Sequence, residues 1–439
     1  MLVLKNANVL HFSPPLVREG VDIAIERGFI IDVGKNIAKH HRATRTIDLA
    51  GRYISPGIVC SHNHFYSALA RGLVARVKPS HDFVEILKNL WWRLDRALDE
   101  DSLYYSGIVG ALEAIKCGTT SVIDHNASPS FIKGSLKTLK SSFEKVGLRG
   151  ILAYEITDRN GEAGMIEGVE ESKEFCRFIA KERDQPHHLV EAAIGAHAPF
   201  TLSDQTLRLI SDAIALTKSG VHIHVGEDRY DASHSHDHYD MDLVERLGKF
   251  GILNKKSILV HGVHMSELDI EIMNKRDAFL VHNPRSNMNN GVGYMRKLGR
   301  VKNVALGTDG IGANMFEEAK FAFFKSSDES SGLSPEDILR FLNNGNELLS
   351  RYFGQRFGKI EKGYVADIVV YDYDPPTPLV SENVAGHFLY GFSSRDVETV
   401  IVNGNIVYEE RKFPFEVDAL YAKSAAAAQK LWKKMDSLH

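Results

Sequence analysis

The middle of the chain alternates short apolar runs with longer stretches in which apolar residues recur every three or four positions. Eight runs read as strands, at residues 57–60, 120–124, 149–155, 190–196, 221–225, 257–261, 278–282 and 303–308. Helical patterns fall between most of them, for example at 83–98, 102–116, 204–218 and 240–250. Alternation of strand and helix predicts a parallel sheet, and eight repeats predict a closed (β/α)8 TIM barrel. The repeat length is too irregular for a solenoid. Both ends of the chain read differently. Residues 21–25 alternate, Arg27-Gly28 supplies a turn, and 29–33 return. Residues 366–371 form another strand, and Asn403-Gly404 joins 400–402 to 405–408 as a hairpin. These ends predict one small β-sandwich domain built from residues 1–56 and 362–439, flanking a catalytic barrel over 57–361. The alanines from Ala425 to Ala428 favour a terminal helix running to Met435.

Composition narrows the function classes. The chain has 439 residues, 44% hydrophobic and 25% charged, which suffices for a large core. A formal net charge of -4 gives no electrostatic case for nucleic acid or an anionic membrane as partner. Three widely spaced cysteines, Cys60, Cys117 and Cys176, form no disulfide framework and fit a reducing cytoplasm. No signal peptide and no membrane-spanning run are expected. The unusual number is 20 histidines, several of them where strands should end.

Barrel enzymes draw their reactive groups from the C-terminal ends of the strands, which meet at one mouth. Here His62 and His64 end the first run and His197 follows the fourth. His224, with Glu227 three residues on, ends the fifth; His261 ends the sixth; His282-Asn283 end the seventh; Asp309 ends the eighth. Residues two apart on a strand share a face, so His62 and His64 can reach one cation. Neutral imidazole suits zinc, iron, nickel or copper and serves calcium and magnesium poorly. Any one polar strand end is an ordinary loop start. Imidazole or carboxylate at this many ends predicts a metal-dependent site.

The segments Pro56-Gly57-Ile58-Val59-Cys60-Ser61-His62-Asn63-His64, His222-Ile223-His224-Val225-Gly226-Glu227, Leu259-Val260-His261-Gly262 and Leu306-Gly307-Thr308-Asp309-Gly310 resemble the amidohydrolase superfamily. The resemblance is to its branch of mononuclear-metal deaminases and triazine-type hydrolases. Within it, residues 61–67, 91–99 and 283–290 are most similar to the SsnA aminohydrolase family, and the likeness covers nearly the whole length. Many members of the branch have Thr where Asn63 stands, a difference that leaves the ligands intact.

The resemblance implies that His62, His64, His224 and Asp309 hold one divalent metal ion, zinc with iron as the alternative. Three neutral nitrogens and a carboxylate suit either metal and leave a position for water. Bound water then has its pKa lowered towards roughly 7. Glu227 is implied as the acid that protonates a substrate ring nitrogen, His261 as the group that orients the hydroxide, and Asp309 as the acceptor of the water proton. His197 matches a substrate-contacting position of the branch; Arg159, Asn283 and Ser286 are substrate contacts expected from their place after strands. The substrate implied is a small aminated heterocycle, purine-, pterin- or pyrimidine-like, and the assembly implied is a homodimer.

The same site is suited to expelling chloride, as triazine hydrolases do. Relatives that open cyclic amides often bridge two metals with a modified lysine after strand four, where this chain reads Ala196-His197-Ala198-Pro199. A passive metal scaffold would not need Glu227 and His261 beside the ligands. No Pro-Cys-X-X-Cys motif of the cytidine-deaminase type and no Gly-X-Ser-X-Gly elbow occurs. His188 with Glu191 repeats the His-X-X-Glu spacing but precedes its strand, so a structural role is expected. His234, His236 and His238 read as a solvated loop, and His222 as a residue lining the barrel below the metal. Trp91, Trp92, Phe65 and Tyr66 are either stacking platforms or core.

Overall fold

The computed structural model describes the whole chain except Ala75, Val77, His81, Pro186 and His439. Its middle is a ring of parallel strands: Ile58–Asn63, Thr119–Asn126, Arg149–Tyr154, a fourth broken at Ala193 into Val190–Ala192 and Ile194–Ala196, then Val221–Val225, Ile258–His261, Phe279–His282 and Val304–Leu306. The first half of the ring pairs as one four-stranded sheet and the second as a five-stranded sheet. Parallel bridges close both seams, Ile156 to Ala196 and Asn63 to Asp309. At the second seam Thr308 N donates to His62 O at 2.9 Å. Every residue of these strands is buried, as expected for strands covered by helices outside and by side chains inside.

The terminal segments form one continuous eight-stranded sheet. The first strand, Leu2–Phe12, pairs antiparallel with Pro15–Glu26 along its length. Its other edge pairs in parallel, first with Arg45–Asp48 and then with Tyr53–Pro56. Tyr53–Pro56 in turn takes Ile368–Tyr371 antiparallel, so the two ends of the chain share one sheet. Its face packs Leu4, Val9, Ile23, Ile54, Ile368 and Ile401 into a core of its own.

The crossing from sheet to barrel falls at Gly57. A Cβ there would lie 2.2 Å from Thr120 Oγ1 and 2.9 Å from Asp367 Cβ, so only glycine fits. Gly57 N donates to Asp367 O at 2.8 Å. Beside it, Arg149 of the third strand makes a fork to Asp367 at 2.8 and 3.1 Å, both side chains buried. The terminal helix Asp418–Ser437 starts earlier than the alanine run alone predicts, and Trp432 Nε1 donates to Leu69 O of the barrel at 2.8 Å.

Three expectations need correction. The helical pattern at 83–98 is a helix interrupted by a π-helical turn at Leu87–Trp91. The segment expected as a solvated loop around His234, His236 and His238 is the helix Arg229–Tyr239, capped at its start by Asp228 accepting from Tyr230 N. Its residue Asp240 takes the left-handed conformation that ends the helix, so the next helix begins at Leu243 rather than at 240.

Candidate metal centre and active site

Four of the expected donor atoms converge. His62 Nε2 lies 3.4 Å from Asp309 Oδ1, His64 Nε2 lies 3.0 Å from the same oxygen, and His64 Nε2 lies 3.2 Å from His224 Nε2. A tetrahedral cation with ligands at ~2.0 Å has ligand-to-ligand edges of ~3.3 Å. These three separations are of the size that ligands of one cation require. The donor atoms of His62, His224, His261 and Asp309 all lie within 4.8 Å of one another.

The other ring nitrogen of each histidine is spoken for. His64 Nδ1 donates to His125 O at 2.6 Å and His224 Nδ1 to His197 O at 2.9 Å. A nitrogen facing a carbonyl carries the proton, so both rings present an Nε2 lone pair to the shared point. His62 Nδ1 is paired with His222 Nε2 at 2.9 Å, which gives His222 the structural place expected of it. His62 Nε2 and His261 Nε2 are buried without hydrogen-bond partners. Burial holds His62 down to about 3 and His224 well below the usual imidazole value, so both stay neutral. At His64 burial acts the same way, yet without a cation Asp309 outweighs it and lifts the ring to about 9, so Nε2 then holds a proton that a bound cation would replace. The carboxylate thus demands positive charge at the point the imidazoles share. The donor set fits a divalent metal ion.

Local backbone strain places two of these groups. His261 and Asp309 have φ of 72° and 53°, in the left-handed region unusual for side-chain-bearing residues. Neighbouring backbone bonds hold them there: Gly262 N donates to Val225 O at 2.9 Å, and Asp309 N to His62 O at 3.1 Å. At Gly307 a Cβ would meet Asn283 Oδ1 at 2.5 Å and His62 Cβ at 2.8 Å. Glycine there lets the eighth strand end beside the first.

Glu227 follows a turn at Gly226, whose φ is 57° and whose N–H is held by Asp231 at 2.7 Å. Its Oε2 lies 3.5 Å from His261 Nε2, and its Oε1 accepts from Asn290 Nδ2 at 3.3 Å. Burial pushes the Glu227 carboxyl up to about 7, against the pull of His261. The short helix Pro284–Asn289 after the seventh strand and the residue that follows it contact three of these side chains. Ser286 Oγ donates to Asp309 Oδ2 at 2.5 Å, Asn287 Oδ1 accepts from His261 Nδ1 at 2.8 Å, and Asn290 just beyond the helix reaches Glu227. Arg285 fastens this helix to the buried Glu318 at 2.5 Å.

A cavity of ≈ 100 Å³ opens over these groups, lined by His64, Trp91, Glu155, His197, Glu227 and Ser286 among others. Trp92 and Tyr66 also line it, whereas Phe65 is core, packed on Phe143. Of the four expected substrate contacts, His197 and Ser286 line the cavity. His197 Nδ1 is 2.8 Å from Thr201 Oγ1, whose hydroxyl donates to Ala198 O, so His197 offers Nε2 as an acceptor. Asn283 and Arg159 do not line this cavity. Asn283 is fully buried, 3.5 Å from His261 Nδ1. Arg159 turns away to ion-pair with Glu155 at 2.5 Å and to stack on Trp92 at 4.5 Å. His188 pairs with Glu191 at 3.1 Å, as expected of a structural histidine.

Sequence reasoning missed Glu155, Asp95 and His125. Glu155 and Asp95 line the cavity, and His125 Nδ1 lies 3.4 Å from Glu155 Oε2. His125 is the penultimate residue of the second strand, one residue past the predicted run, so a strand end placed later in the sequence would have found it.

Residues 53–407 match the Amidohydrolase family model. The chain is 31% identical to the 5-methylthioadenosine/S-adenosylhomocysteine deaminase of Thermococcus sibiricus, covering 92% of this chain and 93% of that protein. Its fold matches that of a zinc-bound adenosine deaminase from Xanthomonas campestris with a TM-score of 0.85, at 23% identity over 98% of each chain. The zinc complex of the atrazine chlorohydrolase from Arthrobacter aurescens matches with a TM-score of 0.80, at 21% identity over 98% of this chain and all of the other. The chain belongs to the amidohydrolase family.

Proposed function

We propose that the protein is a zinc-dependent aminohydrolase that hydrolyses the exocyclic amine of a small heterocycle, purine-like in the first instance. The observation that carries this reading is the convergence of three Nε2 atoms and Asp309 Oδ1 on one point, with Glu227 and His261 beside it. The deaminase activity named for the Thermococcus relative supports the leaving group.

His62, His64, His224 and Asp309 would hold the metal. When bound, such a cation lowers the pKa of water and makes hydroxide available near neutral pH. The remaining roles belong to the chain. Glu227, with its carboxyl near 7, donates a proton to the ring nitrogen next to the carbon that bears the amine. Water adds to that carbon, and His261, kept with Nε2 inward by Asn287, orients the attacking oxygen. Asp309 accepts the proton that the water loses, with Ser286 holding its Oδ2. The amine takes the proton that Asp309 received, the carbon–nitrogen bond breaks and ammonia leaves, and the new hydroxyl returns its proton to Glu227 as the oxo-heterocycle forms. His197 Nε2 accepts from a substrate N–H, and Trp91 and Trp92 offer the flat walls a planar ring needs.

We further propose a homodimer in the cytoplasm, with residues 1–56 and 362–439 as one structural unit and 57–361 as the catalytic one. Among the described residues no helix is long and apolar enough to cross a membrane. Ammonia release across a panel of amino- and chloro-substituted heterocycles, with metal content measured on the same sample, tests the reading. Release from an aminated purine by metal-loaded protein is expected. Chloride release alone would reassign the leaving group.

A further inference from the structure

Next to the metal cavity lies a wider one of ≈ 860 Å³. Its wall carries six cationic side chains, among them Lys88, Arg96 and Arg159, against two carboxylates, Asp95 and Asp436. The whole chain has a formal charge of -4, so this concentration of positive charge runs against the molecule's balance. Arg159 is matched by Glu155. Arg93 spends its guanidinium on the uncharged carbonyls of Arg76, Asn89 and Met435. Among the described residues, Lys88, Arg93 and Arg96 form no ion pair with a carboxylate.

Two further observations point to a ligand. Trp92 and Asp95 line both cavities, so one molecule can occupy the two together. Trp92 Nε1, Arg93 Nε and Asp95 Oδ1 are buried without hydrogen-bond partners. Asp95 is 3% exposed, and burial pushes its carboxyl up to about 8. Its other oxygen lies 4.0 Å from Arg159 Nη1. A single carboxylate is satisfied by one arginine fork. Cations spread around a concave wall suit an anion with oxygens in several directions.

We propose that this basic cavity receives a phosphate-type dianionic arm, so that the molecule deaminated in the adjoining cavity is a phosphorylated heterocyclic amine; the inference rests on the deaminase reading above. The charged wall binds the arm, Trp92 lies at the junction, and the ring reaches His197 and Glu227.

The test uses metal-loaded protein at low ionic strength, where such contacts are least screened. Calorimetric titration with inorganic pyrophosphate is expected to show saturable binding, weakened about tenfold or more in the Lys88→Glu/Arg96→Glu variant. No binding, or equal binding to both proteins, overturns the proposal. In parallel, ammonia release from adenosine 5′-monophosphate and from adenosine is compared in the unaltered protein. A kcat/KM about tenfold or more higher for the phosphorylated compound is expected. Equal or better use of adenosine leaves the deaminase reading in place and overturns the anionic arm. Absence of ammonia from both bears on the deaminase reading alone, because pyrophosphate binding is read without turnover.

Discussion

Asn287 Oδ1 accepts a hydrogen bond from His261 Nδ1 at 2.8 Å, and by doing so fixes which nitrogen of that ring faces the metal site. His261 Nε2, left with no hydrogen-bond partner, lies 3.5 Å from Glu227 Oε2 and 4.0 Å from Asp309 Oδ2. Replacing Asn287 by Leu removes the acceptor while roughly keeping the volume. Turnover should fall about 10–100-fold with metal content unchanged. Asn287→Asp keeps an acceptor and should lose less. Equal activity of Asn287→Leu and unaltered protein, with both folded, would remove the residue from this role.

Glu227 touches no donor atom of the proposed ligand set, so its loss separates chemistry from metal binding. Glu227→Gln keeps the shape and the contact region of Asn290 but cannot donate a carboxyl proton. We expect full metal content and a fall in kcat of about 10²–10⁴-fold. An active Glu227→Gln protein would exclude the proton-transfer role.

Arg149 and Asp367 tie the third barrel strand to the terminal sheet through a buried fork. Arg149→Leu leaves Asp367 buried without its counterion. Equilibrium denaturation should show a loss of about 3–5 kcal/mol. Removing both charges, as Arg149→Leu/Asp367→Leu, should cost less than the single change. A single variant within 1 kcal/mol or so of the parent would show that the pair is dispensable.

His11 accepts from Ile360 N at 3.1 Å inside the terminal sheet, and burial lowers its pKa from 6.5 to about 4. The unfolded chain therefore binds a proton between those values that the folded chain refuses. Stability from this group is complete above pH 6.5 and is lost as pH falls towards 4, by about 3 kcal/mol at most. Denaturation of the parent and of His11→Gln at pH 7 and pH 4.5 checks this. The parent should lose more stability on acidification than the variant; parallel losses would contradict it.

Much of the barrel was legible because each of its strands is a short, continuous apolar run, and because a parallel barrel sends all strand ends to one mouth. That rule alone gathers His62, His64, His224, His261 and Asp309. It fails where direction matters more than position. Asn283 ends the seventh strand, yet its side chain packs under His261. Arg159 follows the third strand, yet Glu155 and the Trp92 ring draw it into the neighbouring cavity. Asp95 and Trp92 lie on a helix, and no periodicity signals that a π-helical turn at Leu87–Trp91 resets their register towards the cavity. Asn287 and Asn290 act through other side chains, a role that residue type does not announce.

The central claim is one cation per chain, held by His62, His64, His224 and Asp309 and required for release of ammonia. Titrating zinc into chelator-treated protein while following ammonia from an aminated purine tests it most directly. Activity should climb in proportion to zinc and level off at one equivalent, and His224→Ala should neither retain the zinc nor regain activity. Full turnover by metal-free protein, or a requirement for a second equivalent, would contradict the account.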